Sequence, residues 1–221
     1  MSMLHSSSVD AVLQLFASTD DPIIEEMEVR AAATGFPTVG PEVGSFLRWL
    51  VRAADVTDVF ECGSGFGYST YWMAGAMSAD ASIVLTEIDR DELDDAKDYF
   101  SRSEIEPSVR FERGDALEIL ADEPGPFDLV VLDHENERYA EGFQIASERL
   151  AEGGIIVADN VIHSWEFSPS TLYAVLDGDR EPPNASLAGV VDYYEHLRDL
   201  DGFEHCLLPI GEGLAMSIAT E

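Results

Sequence analysis

From residue 56 onward, short apolar runs alternate with stretches whose apolar positions recur every third or fourth place. The runs Val56–Cys62, Ser82–Glu87, Ser108–Glu112, Phe127–Asp133 and Gly154–Asp159 predict strands. The intervening stretches Gly67–Met77, Asp91–Ser103 and Tyr139–Ala151 predict helices, with a short one after Asp115. Strand–helix alternation calls for a parallel sheet with helices on both faces. The unbroken apolar run Leu129-Val130-Val131-Leu132 suits a strand buried on both sides.

The flanks read differently. Residues 8–18 and 22–33 have the pattern of short helices, separated by Asp20, Asp21 and Pro22, which cap and start helices. Gly35 to Pro41 is rich in helix breakers. Pro41 to Ala54 places Val43, Phe46, Leu47, Leu50 and Val51 on one helical stripe. Pro182, Pro183 and Asn184 predict a loop, followed by a helix over Leu187–Leu200. Glu204–Pro209 and Leu214–Ala219 predict two strands, and Gly211 and Gly213 between them predict an antiparallel hairpin.

Length and charge narrow the picture. The 221 residues suit one α/β domain over 1–221, with residues 1–40 contributing helices and an access loop. Asp and Glu number 44 against 12 Lys and Arg, a net charge of −32, and Lys97 is the sole lysine. The acidic residues are spread among ordinary apolar patterns, which suits a fold adapted to high salt, where screening weakens their repulsion. Nucleic acid and anionic membranes are excluded as expected partners, because each needs a basic patch. No basic–apolar–small pattern opens the chain and no apolar run reaches the ~18 residues of a membrane span, so a cytoplasmic protein is expected. Cys62 and Cys206 lie far apart and suggest no disulfide framework.

Two places carry candidate chemistry. Glu61-Cys62-Gly63-Ser64-Gly65-Phe66-Gly67 ends one strand and opens a helix, a turn in which glycines allow a ligand close to the backbone. Glu87 ends the next strand, where a carboxylate can accept hydrogen bonds from a ribose diol. A dinucleotide and S-adenosylmethionine both fit such a turn. Glu61 favours the second, since a carboxylate repels a pyrophosphate and suits a sulfonium cation. Asp133, then Asp159 and Asn160, close the two later strands. At the carboxyl end of a parallel sheet they would converge as hard oxygen ligands for Mg²⁺, Mn²⁺ or Ca²⁺. Asp159 and Asn160 have an alternative reading as turn or cap residues.

Residues 61–69, Leu132-Asp133-His134 through Arg138-Tyr139, Ala158-Asp159-Asn160-Val161-Ile162 and the end from Leu207 to Ala215 resemble the cation-dependent class I O-methyltransferases of the catechol and caffeoyl-CoA type. The resemblance runs over residues 35 to 220. It implies a Rossmann-like α/β fold, with a mostly parallel seven-stranded sheet, a C-terminal antiparallel hairpin and helices on both faces. It implies S-adenosylmethionine as cofactor, with Gly63, Gly67, Tyr68 and Ser69 near the methionine part and Val39 on the access loop. Glu87 would hold the ribose, Asp115 and Ala116 would flank the adenine, and Asp133, also at the cofactor, would join Asp159 and Asn160 as divalent-cation ligands. Relatives are often dimers, so a homodimer is an expectation by analogy alone.

One position departs from the family pattern. Asn136 stands where the family carries a lysine that helps deprotonate the acceptor hydroxyl. An amide cannot take a proton at neutral pH. Three explanations compete: a bound cation lowers the pKa of the hydroxyl, His134 or His163 replaces the base, or the protein binds the cofactor without catechol-type transfer. Trp165, Phe167 and Tyr173 would either wall an aromatic acceptor pocket or pack a loop. The expected activity is methyl transfer to a small-molecule hydroxyl, one of a vicinal dihydroxy-aromatic pair.

Overall fold

The structure is a computed structural model and describes residues 7–220. Three helices come first: α1 (Ser7–Ala17), α2 (Pro22–Thr34) and α3 (Gly40–Ala53). The alternating part follows as β1 (Asp58–Cys62), α4 (Tyr68–Ala74), β2 (Ser82–Glu87), α5 (Arg90–Ser101), β3 (Ser108–Arg113), α6 (Ala116–Asp122), β4 (Phe127–Leu132), α7 (Tyr139–Ser147) and β5 (Leu150–Ala158). A 3₁₀ turn, Asn136–Arg138, joins β4 to α7. The chain ends with α8 (Pro169–Leu176), α9 (Ala185–Arg198), β6 (Phe203–Leu208) and β7 (Leu214–Ala219).

The strands form one sheet of order β3-β2-β1-β4-β5-β7-β6. All pairs from β3 to β5 are parallel, while β7 runs antiparallel to both β5 and β6. The strand order reverses between β1 and β4, and such a switch point opens a crevice at the strands' carboxyl ends.

Successive residues of the central strands feed opposite cores, as the two-residue period of a strand requires. Phe60, Val130 and Ile156 pack with Tyr139, Phe143 and Tyr193 on one face. Val59, Leu129 and Val157 pack with Val43 and Leu47 of α3 on the other. Helix starts follow local chemistry. Asp21 Oδ1 accepts from the amide of Ile23 at 2.9 Å, with Pro22 beginning the helix behind it. Asp89, Asp115, Ser168 and Asn184 cap α5, α6, α8 and α9 in the same way.

Several expected boundaries move. The helix expected over Tyr139–Ala151 stops at Ser147, and β5 begins at Leu150 rather than Gly154. Arg149 causes this: its Nη2 and Nε donate to the carbonyls of Ala121 (2.8 Å) and Glu123 (3.0 Å), and its own carbonyl accepts from Phe127 N at 2.8 Å. The chain is thereby drawn into the sheet, where Leu150 pairs with Phe127 before a register shift. The helix expected over Gly67–Met77 shortens to Tyr68–Ala74. After Trp165, where the sequence pattern predicts no element, the chain forms α8, started by the Ser168 cap and Pro169. Among the described residues no helix is long and apolar enough to cross a membrane.

Candidate active site

A cleft of about 620 Å³ opens over the carboxyl ends of the parallel strands. Its first wall is the turn after β1. Gly63 (φ 80°), Gly65 (φ 51°) and Gly67 (φ 82°) hold left-handed backbone. At Gly63 a Cβ would lie 2.3 Å from the carbonyl oxygen of Asp133, so only glycine lets this turn lie against the end of β4. Glu87 braces the turn: its Oε2 accepts from Gly65 N at 2.9 Å and its Oε1 from Asp89 N at 2.8 Å. Each carboxylate oxygen keeps a second lone pair for a ligand hydroxyl.

Glu61 does not face the cleft. Its side chain is fully buried beneath the turn, where the hydroxyls of Ser69 and Thr70 donate to its two oxygens. Burial pushes its carboxyl up to about 7, against the lowering effect of those hydroxyls. Gly67 also lies off the cleft; a Cβ there would meet Ala96 of α5 at 3.2 Å, so it serves helix packing. Val39, Gly63, Tyr68, Ser69, Glu87 and Ala116 do line the cleft. The Tyr68 hydroxyl donates to Glu28 at 2.9 Å.

Glu61 gives a pH prediction. A carboxyl raised in the fold favours the neutral native form. Its stabilising share is complete below about pH 4.5 and is lost as pH rises to about 7. Glu61→Gln, neutral throughout, is expected to flatten this loss, on the order of 3 kcal/mol. The difference in melting temperature between pH 5 and pH 8 should shrink in the variant by the Glu61 share, while the part owed to Asp133 and Asp159 stays. An unchanged difference would show that Glu61 is not the titrating group.

Asp115 caps α6 through Oδ1 and receives Arg138 Nη1 on Oδ2 at 2.6 Å. Burial raises its carboxyl, but Arg138 and the two capped amides outweigh this and leave it below the ordinary range. Arg138 also pairs with Glu141, at 2.9 Å.

Asp133, Asp159 and Asn160 line the same cleft, Asp133 beside the glycine turn. Asp159 is buried, and its Oδ1 accepts from Asn160 N at 2.7 Å. Desolvation and then the facing Asp159, with Glu61 and Glu212 further contributors, drive the Asp133 carboxyl well up. Burial, with Glu212 adding to it, raises Asp159 to about 7. Asn160 has φ 57°, a left-handed conformation that asparagine tolerates. Glu212, from the β6–β7 turn, also lines the cleft and accepts from Asn160 Nδ2 at 2.8 Å. Sequence reading missed it because the contact spans 52 positions; the one local signal was its place between Gly211 and Gly213 in the hairpin turn.

The candidate bases are held aside. His134 lines the cleft, but its ring packs against Tyr139 at 5.2 Å and its Nε2 lies 3.4 Å from the Arg138 carbonyl. Burial lowers its pKa. His163 lies outside the cleft lining, and its Nδ1 donates to the Phe167 carbonyl at 2.7 Å. Asn136 Oδ1 accepts from Ser186 Oγ at 3.2 Å, while Nδ2 is buried without a partner among the described residues. The three aromatics separate: Trp165 stands at the cleft, 87% exposed, Phe167 is buried in the core, and Tyr173 lines a second, apolar groove between α8, α9 and β6.

A parallel sheet closed by an antiparallel hairpin, with a glycine turn and an acidic strand end facing one cleft, defines the class I methyltransferases. The chain belongs to the S-adenosylmethionine-dependent O-methyltransferase family, and the O-methyltransferase family model matches residues 15–219. A catechol O-methyltransferase of Niastella koreensis is 31% identical over 161 residues, covering 70% of this chain and 73% of that protein. A caffeoyl-CoA O-methyltransferase of Eucalyptus gunnii is 25% identical, covering 94% and 86%. The O-methyltransferase TomG from Streptomyces achromogenes, solved in complex with SAM, superposes with a TM-score of 0.83 at 25% identity, over 97% of this chain and 96% of that one.

Proposed function

We propose that this enzyme moves the methyl group of S-adenosylmethionine to one hydroxyl of a vicinal dihydroxy-aromatic small molecule, chelated by a divalent cation. The observation that carries the cation is the neighbouring carboxyls of half-buried Asp133 and buried Asp159 in one cleft, both driven up by desolvation and by neighbouring acids. Such a pair is costly unless a positive charge meets it. The donor set fits a hard cation, Mg²⁺ first and then Mn²⁺ or Ca²⁺: two carboxylates and the amide oxygen of Asn160. Among the described residues no three His, Cys, Asp or Glu groups are arranged to hold a metal, and the set proposed here rests on two carboxylates and one amide oxygen.

At the cofactor end, Glu87 accepts the ribose hydroxyls, Asp115 and Ala116 flank the adenine, and the turn from Gly63 to Ser69 takes the methionine part. Val39 closes the approach. In the reaction the acceptor oxygen forms a bond to the methyl carbon, the carbon–sulfur bond breaks, and the sulfonium becomes a neutral thioether. A bound cation would lower the pKa of the chelated hydroxyl and hold it in line. Asn136 cannot accept the hydroxyl proton, which leaves to water at the cleft mouth. Trp165 offers an aromatic face at that mouth. A second reading keeps the methyl transfer but gives it another small-molecule hydroxyl acceptor, and Asn136 in place of the lysine favours it.

The test is a methyl-transfer assay in molar KCl on dihydroxy-aromatic acceptors, with and without chelator, for wild type and Asn136→Lys. Product that depends on Mg²⁺ is expected. A restored general base should raise the lysine variant's rate by about tenfold to a hundredfold. Product unaffected by chelator would overturn the cation. Calorimetry showing no S-adenosylmethionine binding would overturn the whole assignment.

A further inference from the structure

We propose that Glu212 is a positioning residue that sets the amide of Asn160 for cation binding; this rests on the cation site proposed above. Glu212 belongs to the β6–β7 turn, on the reversed edge of the sheet, and reaches the end of β5 across 52 positions of sequence. Asn160 Nδ2 donates to Glu212 Oε2 at 2.8 Å. An ionised carboxylate only accepts hydrogen bonds, so it selects the nitrogen end of the amide. The oxygen end, Oδ1, receives no hydrogen bond from the described residues and is the end a hard cation takes.

The backbone holds Glu212 in place. Its carbonyl accepts from Ile162 N at 3.2 Å and from His163 N at 2.9 Å, and the next carbonyl, of Gly213, accepts from Val161 N at 3.1 Å. Gly213 allows this approach, because at φ 97° a Cβ would lie 2.5 Å from the side chain of Ile162. The Tyr194 hydroxyl donates to the Val161 carbonyl at 2.8 Å. The segment after Asn160 is therefore clasped by the hairpin turn and by α9, and the Asn160 side chain leaves from a fixed left-handed backbone.

Glu212 has a competing role as a third carboxylate ligand. Its geometry argues otherwise: no three acidic, His or Cys groups among the described residues stand in a metal-holding arrangement, and Oε2 already faces the amide nitrogen. Outer partners that orient a ligand typically contribute about 10–100-fold in metal affinity.

The test titrates Mn²⁺ into chelator-treated protein in molar KCl, followed by electron paramagnetic resonance, with thermal melts as the folding control. Glu212→Ala is expected to weaken Mn²⁺ by about 10–100-fold, while Glu212→Gln, whose Oε1 still accepts from Asn160, should stay within about threefold of wild type. If Glu212→Ala does not fold, Glu212→Met fills the volume without an acceptor and takes its place. Wild-type affinity in the alanine or methionine variant would overturn the role. A glutamine variant as weak as the alanine one would also overturn it, by showing that charge rather than orientation matters. Wild type that bound no Mn²⁺ would overturn the cation site and this role together.

Discussion

Alanine at Asp159 is expected to lower cation-supported methyl transfer by at least about a hundredfold, beyond the 10–100-fold of an outer partner. Asp159 is the acid at the end of β5, 3% exposed, with its backbone amide tied to the Leu132 carbonyl at 3.1 Å. Asp159 has its backbone fixed there by the strand end. Its removal also relieves the repulsion on Asp133, so the variant should fold. The cofactor end is separate, braced by Glu87 on the turn after β1. S-adenosylmethionine affinity should therefore stay within about threefold by calorimetry while kcat/KM collapses, the pattern of a group that serves the reacting centre. A variant that kept chelator-sensitive turnover at the wild-type rate would remove Asp159 from the ligand set.

Gly63→Ala is expected to be the costliest single-methyl change in the cleft. Two penalties act together: left-handed backbone at φ 80° and a methyl 2.3 Å from the Asp133 carbonyl oxygen, which is main chain and cannot rotate aside. These should cost about 2–5 kcal/mol, read as a lower denaturation midpoint in guanidinium at high salt. Gly153→Ala isolates the first penalty, because it has φ 71° with nothing within 4 Å, and should cost about 1–2 kcal/mol. Equal losses in the two variants would show that the close approach of β1 and β4 is not what requires glycine.

The sheet was legible because its signal is local. The central parallel strands are short apolar runs, and the edge strand β3 alternates apolar with charged residues. The ends of β5 and α7 were not legible, because Arg149 acts through carbonyls 26 and 28 positions away. The eight-residue α8 was hidden by its mixed pattern, with only Leu172 buried. At the site, the glycine turn, Glu87, Asp133, Asp159 and Asn160 reach the cleft from strand ends, which sequence periodicity locates. Glu61 shows the limit of that method: it ends a strand yet points beneath the turn, because Ser69 and Thr70 of α4 offer hydroxyls there. Glu212 and the Ser186–Asn136 contact are tertiary, and no window of sequence contains them.

Asn136 rides on a 3₁₀ turn pressed against α9, where a Cβ on Gly189 would lie 2.4 Å from both the Asn136 carbonyl oxygen and the Glu137 Cα. That wall of the cleft is cast against a helix backbone and has no slack. Trp165 is 87% exposed and touches the cleft from the connection between β5 and α8. The enzyme therefore divides into a rigid half and an exchangeable half. Directed evolution toward new acceptors should accumulate its tolerated changes at Trp165 and its neighbour Glu166, whereas alanine at Gly189, whose Cβ would strike the backbone of residues 136–137, should yield mostly unfolded protein.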